Sequence, residues 1–114
     1  MENQSTRQLK ISRQLQKDLA EIFRERGTQS FAGAMITVTG VRISPDLSIA
    51  KVYISIFPSA KIKEVFAIVE ESAKSIRGEL GKRVSKQLRI VPQLTFYIDD
   101  SLDYAEKIEQ LLKK

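Results

Sequence analysis

The stretch ITVTGVRISPDLSIAKVYISIF, residues 36–57, decides the fold. Ile36 and Val38 alternate with Thr37 and Thr39, the two-residue period of a strand with one buried face. The alternation resumes one residue out of phase at Val41 and Ile43, with the slip at Gly40. An extra residue beside a glycine inside a strand reads as a β-bulge, and a bend at a strand junction would serve as well. Ser44-Pro45-Asp46 supplies a turn, because proline fixes φ and aspartate can bond its own backbone. A second alternating run puts Ala50, Val52, Ile54 and Ile56 on one face and Lys51, Tyr53 and Ser55 on the other. The short connection predicts an antiparallel hairpin with strands over 35–44 and 49–57, stopped by Pro58.

Upstream of the hairpin the period is helical. Ser5 and Gln8 have capping-box spacing, and Ile11, Leu15, Leu19, Ile22 and Phe23 recur at helical intervals until Gly27. This predicts a helix over 5–26. At about 100° per residue its aliphatic members form one stripe, while Lys10, Arg13, Lys17 and Arg24 fall within roughly 60° of one another on the opposite face.

Downstream, Ile62, Phe66, Val69, Ala73, Ile76, Leu80 and Val84 define an interrupted helix over 62–86. Gly78 and Gly81 fall inside it, each costing about 1 kcal/mol relative to alanine, so they call for a kink or for close packing. A third strand over 93–98 carries Leu94, Phe96 and Ile98 on one side. A last helix over 102–113 follows an acidic start and carries Tyr104, Ile108, Leu111 and Leu112. The order helix, strand, strand, interrupted helix, strand, helix is that of a small α+β layer fold, with strand order in the sheet left open.

Composition excludes more than it selects. With 114 residues the chain suffices for one domain, residues 1–114, and its hydrophobic fraction of 42% is that of a folded protein. There is no Cys and no His. Disulfides, thiolate nucleophiles, catalytic triads built on histidine and histidine-rich zinc sites are therefore excluded. Nothing near the N-terminus reads as a signal peptide and no apolar run approaches a membrane span. A soluble, cytoplasmic protein with no membrane partner is expected. Nineteen Lys and Arg against fourteen Asp and Glu leave a net charge of +5, which suits a polyanionic partner.

Each candidate site has a plainer reading beside it. The cations Lys10, Arg13, Lys17 and Arg24 form either an RNA-facing stripe or a solvated helix face. Lys82, Arg83, Lys86 and Arg89, with Lys74 and Arg77 just upstream, form the densest basic cluster, with no acid between Gly81 and Val91. Phosphate contact is favoured there over a merely solvated helix end. Gly78-Glu79-Leu80-Gly81 matches the GxxG loop with which KH domains clamp nucleic-acid backbone. Glu79 would repel phosphate and Leu80 fits the apolar register, so the helical reading is preferred. Tyr53, Thr95 and Tyr97 lie on the polar side of their strands and could stack on bases. A half-covered second sheet face accounts for them more simply. Asp99, Asp100 and Asp103 could hold a hard cation, but are read as helix caps. No metal, cofactor or catalytic residue is expected.

Taken in order, several segments resemble ribosome-binding factor A. They are the helix around Leu9–Phe23, the hairpin with its Ser44-Pro45-Asp46-Leu47 turn, Ile76-Arg77 with Leu80-Gly81-Lys82, and Leu88-Arg89-Ile90-Val91-Pro92 leading to Leu94-Thr95-Phe96 and Asp99-Asp100-Ser101. The resemblance implies a type II KH-like fold in which the GxxG loop is replaced by a kink at an Ala-x-Gly string. The comparable region here is Ser72-Ala73-Lys74-Ser75, without the glycine, and extra residues lie around Ser85–Gln87. The resemblance further implies a monomer that binds the free 30S small ribosomal subunit and its rRNA, assists late maturation of 16S rRNA and supports growth in the cold. No DNA partner is expected. A generic KH-type binder of single-stranded RNA is the alternative, followed by a protein–protein adaptor and, distantly, an enzyme.

Overall fold

The structure, a computed structural model, describes residues 5–99. Helix α1, Thr6–Arg26, opens on a reciprocal capping box. The Gln8 amide N–H donates to Ser5 Oγ at 3.1 Å and the Ser5 amide N–H to Gln8 Oε1 at 2.9 Å. It closes at Gly27, whose φ of 78° suits a residue without a Cβ, and whose N–H donates to the Phe23 carbonyl.

Strands β1, Met35–Ile43, and β2, Ile49–Phe57, pair antiparallel. The register runs Val38↔Ile54 and then Gly40↔Tyr53, so Thr39 is the extra residue of a bulge. The bulge expected at Gly40 is thus present, with the adjoining Thr39 as its extra residue. The connecting turn is held by Asp46, whose Oδ1 accepts from the hydroxyls of Ser44 and Ser48, each at 2.7 Å, and from the Ser48 amide N–H at 3.1 Å.

Helices α2, Ile62–Glu71, and α3, Ala73–Val84, carry the chain across to strand β3, Gln93–Ile98, which pairs parallel with β2. The sheet order β1-β2-β3 is thus mixed. The break between the helices sits at Ser72, whose N–H is shared between the carbonyls of Ile68 and Val69. It does not sit at the glycines, both of which lie inside α3. A Cβ on Gly81 would come within 3.1 Å of Val91 Cγ2, whereas one on Gly78 would meet nothing within 4 Å. Close packing therefore accounts for Gly81 and not for Gly78. Residues 85–87, which the periodicity joins to the helix, form turns instead. The helix expected over 102–113 lies outside the described residues, as do Asp100 and Asp103.

All three helices pack on one face of the sheet. Leu15, Leu19 and Ile22 of α1, Val65 and Val69 of α2, and Ile76, Leu80 and Val84 of α3 are buried there against Val52, Ile54, Leu94 and Phe96. Phe23 joins the layers, its ring centroid 5.4 Å from that of Phe31 and 6.3 Å, edge-on, from that of Phe96. Strand residues of opposite parity point to the other face.

Two measurements test this account. Gly78→Ala is expected to raise stability by about 0.5–1 kcal/mol in chemical denaturation, since the methyl enters open space on a helix. Gly81→Ala gains less or loses, because Val91 must move. The hydroxyls of Ser48 and Ser44 and the Ser48 amide hold the Asp46 carboxyl down at about 2. A depressed carboxylate stabilises the fold above its unfolded pKa of about 4. That contribution is lost as pH falls toward about 2. Wild type should therefore lose stability more steeply than Asp46→Asn over that window, and parallel curves would show that the turn contributes nothing.

Candidate nucleic-acid interface

The outer surface of the helix layer is built from α1 and α3. On α1, Lys10, Arg13, Lys17 and Arg24 are all exposed. None has an ion-pair partner among the described residues. The four cations thus share the exposed face of α1 with no ion pair among the described residues.

On α3 the basic residues divide by helix face. Arg83 turns toward α1, donating through Nη1 to Glu21 Oε2 and through Nη2 to Glu25 Oε1, each at 2.7 Å. These two carboxylates raise the guanidinium pKa further above its ordinary value, Glu25 contributing most. Arg26 makes the reciprocal link from α1 to α3, its Nη2 lying 2.5 Å from Glu79 Oε1 and 2.7 Å from Ser75 Oγ. Arg77 turns the other way and donates to the carbonyls of Val91 at 2.7 Å and Pro92 at 3.1 Å. Two of the sequence-predicted cations, Arg83 and Arg77, are thus held by the fold itself, while Lys74 and Lys82 point outward without an acidic partner among the described residues.

A groove runs beside α3, lined by Lys74, Arg77, Gly78, Gly81 and Val91. The two glycines leave its floor close to bare helix backbone. Gly78-Glu79-Leu80-Gly81 lies within α3, with Leu80 fully buried and Glu79 engaged by Arg26, so it is no clamping loop. Lys86 and Arg89 lie past the helix in the turn and bend that lead to β3, both exposed. Ile90 beside them is 73% exposed.

Of the three aspartates considered as cation ligands, only Asp99 lies among the described residues. It accepts from the Thr39 hydroxyl at 2.7 Å, which ties the bulge to the end of β3. Among the described residues no group of three His, Cys, Asp or Glu side chains could hold a metal ion. No described helix is long and apolar enough to cross a membrane. Missing from the sequence reading were Arg26 as a structural cation and Arg42 as an exposed one opposite Lys51. The cross-strand pairing of Arg42 with Lys51 could have been found by counting the hairpin register back from its turn.

The family model for ribosome-binding factor A matches residues 7–112. Among curated proteins, a ribosome-binding factor A of Christiangramia forsetii is 45% identical over 111 residues, covering 96% of this chain and 85% of the relative. That of Cytophaga hutchinsonii is 39% identical over 111 residues, covering 97% and 84%. The crystal structure of ribosome-binding factor A from Thermus thermophilus superposes with a TM-score of 0.68 at 24% identity, covering 80% of this chain and 94% of that one. A homology model of the Thermus thermophilus protein, fitted into a cryo-EM map of a 30S complex with it, has a TM-score of 0.59 at 24% identity and covers 77% and 90%. These structures share the α+β, KH-like fold. With a family match over almost its whole length and such relatives, the chain belongs to the ribosome-binding factor A family.

Proposed function

We propose that this protein binds the free 30S small ribosomal subunit through its rRNA, assists late maturation and processing of the 16S rRNA, and supports growth in the cold. It would act in the cytoplasm as a monomer, without cofactor and without making or breaking a covalent bond. The observation that carries the reading is the outward surface of α1, where Lys10, Arg13, Lys17 and Arg24 stand without acidic partners among the described residues, as do Lys74 and Lys82 on α3. The acids between the two helices, Glu21, Glu25 and Glu79, are engaged by Arg83 and Arg26, which offset most of their charge toward an approaching phosphate.

The proposed action is positioning. Phosphate contacts fix where a partner lies without reading its sequence. Lys10, Arg13, Lys17 and Arg24, together with Lys74, Lys82, Lys86 and Arg89, would hold folded rRNA while a neighbouring helix rearranges. Arg77 and Arg83 belong to this site as positioning residues, one fixing the segment before β3 and the other joining α3 to α1. The alternative of a single-strand clamp at Gly78–Gly81 has no loop to work with.

Sedimentation with separated small subunits, large subunits and assembled ribosomes tests the reading. Salt-sensitive co-migration with small subunits alone is expected. Replacing Lys10, Arg13 and Lys17 with Gln should lower the slope of log affinity against log salt by about 1 for each phosphate no longer neutralised. Absence from the small-subunit fraction, or a flat salt profile, would sink it. Thermal melts separate the two kinds of cation: Arg83→Gln lowers the melting temperature, while Lys82→Gln weakens subunit binding and leaves the melt unchanged.

A further inference from the structure

The sheet face turned away from the helices carries chemistry that the basic surface of α1 and α3 does not use. No element among the described residues covers it. Arg42 of β1 and Lys51 of β2 are directly opposed in the antiparallel register, and both are exposed. Like charges in that position destabilise a sheet unless something offsets them. No acid pairs with either one among the described residues.

One row along the same face, about 6.6–6.8 Å away at two residues of strand rise, Tyr53 and Tyr97 lie side by side on β2 and β3. Their rings stack at 5.5 Å between centroids and 26° between planes, and Tyr97 is 41% exposed. Gly40 is the residue opposite Tyr53, and a Cβ there would meet nothing within 4 Å. Neither packing nor a left-handed backbone requires that glycine, and it leaves the position opposite Tyr53 without a side chain.

A cation pair in want of an anion, one row from an exposed aromatic platform, matches the two halves of a nucleotide. We infer that this sheet face is a second RNA-binding surface, taking an unstacked base of single-stranded RNA on Tyr97 and its phosphate between Arg42 and Lys51. Stacking on an aromatic ring tolerates any base, and the paired cations supply the backbone contact. The site rests on the proposed RNA-binding role, and it would let the protein hold a single-stranded segment on one face and folded rRNA on the other.

The test uses the full chain and a short single-stranded oligoadenylate. Because the protein has three Tyr and no Trp, base stacking in wild type is read as quenching of tyrosine emission, and affinities of wild type and variants as anisotropy of end-labelled oligoadenylate. Tyr97→Leu should weaken binding roughly five- to a hundredfold, as expected when one base loses its stacking platform, and Tyr97→Phe should restore it. Lys51→Glu is more diagnostic, since it turns the opposed cations into a cross-strand ion pair. It should melt no lower than wild type yet lose oligoadenylate binding.

Absence of quenching in wild type, or variants within about twofold of it, would overturn the inference. A photoreactive phenylalanine in place of Tyr97 should cross-link to oligoadenylate. Cross-links confined to residues 100–114 or to a second copy would instead identify the occupant as protein and overturn it. Wild type and variants that sediment alike with small subunits while oligoadenylate ignores the sheet leave the assembly-factor reading intact and this one refuted. Oligoadenylate binding through Tyr97 without any subunit co-migration gives the converse.

Discussion

The extra residue at Thr39 is the constraint on which the rest of the structure depends. Val38 and Val41 both face the helices, three positions apart, and a strand of strict alternation cannot do that. Looping out Thr39 resets the parity, so that Val41 and Ile43 join Val38 on the buried side and Arg42 goes to the open one. Without that reset, Arg42 would be aimed into the helix layer, and the second half of β1 would expose its apolar side chains. The Thr39 hydroxyl then uses its displaced position to bond Asp99 across the sheet. One local irregularity thus sets which face is core, which is open, and where β3 ends.

A second level of organisation joins the helices. Hydrophobic burial holds α1 and α3 to the sheet but leaves their mutual rotation loosely set, since burial is non-directional. Arg83 and Arg26 supply direction, each clamping the opposite helix through charge-assisted hydrogen bonds. At half-exposed positions each such pair contributes modestly to stability, and Arg83 makes two of them. Their consequence lies elsewhere: they engage the acids of the seam and offset two of its three negative charges. The seam accordingly separates cations that hold the fold from cations free to meet a partner.

Much of this was legible in the sequence, and the parts that were not share a cause. The capping box at Ser5, the Gly27 stop, the hairpin and the third strand are local patterns, and a local pattern is what a sequence displays directly. The apolar period runs unbroken from Val69 through Ala73 to Ile76 and hides the helix break, which the family resemblance alone placed at Ser72-Ala73-Lys74-Ser75, where it lies. The glycines called for a kink or for close packing, and close packing against Val91 is what holds at Gly81, while neither applies at Gly78. Basicity around Lys82 and Arg83 was visible, but the partners of Arg83 lie 62 and 58 residues away on α1. Whether a cation faces solvent or a carboxylate is decided by tertiary placement, which charge density along the chain does not contain. Tyr53 and Tyr97 illustrate the same point, their stacking depending on a parallel pairing that the sequence left open.

Helix α1 does one more thing through its glutamines. Gln8 and Gln16 each extend an Nε2 amide to β1, reaching the carbonyl oxygens of Ile43 and Val38, each at 3.2 Å. Those oxygens belong to an outer strand, where unsatisfied backbone groups invite another chain to add itself to the sheet. By occupying two of them with side chains of its own helix, the protein blunts that margin against templated growth. A newly made copy, or a stray extended peptide, finds the β1 margin already engaged.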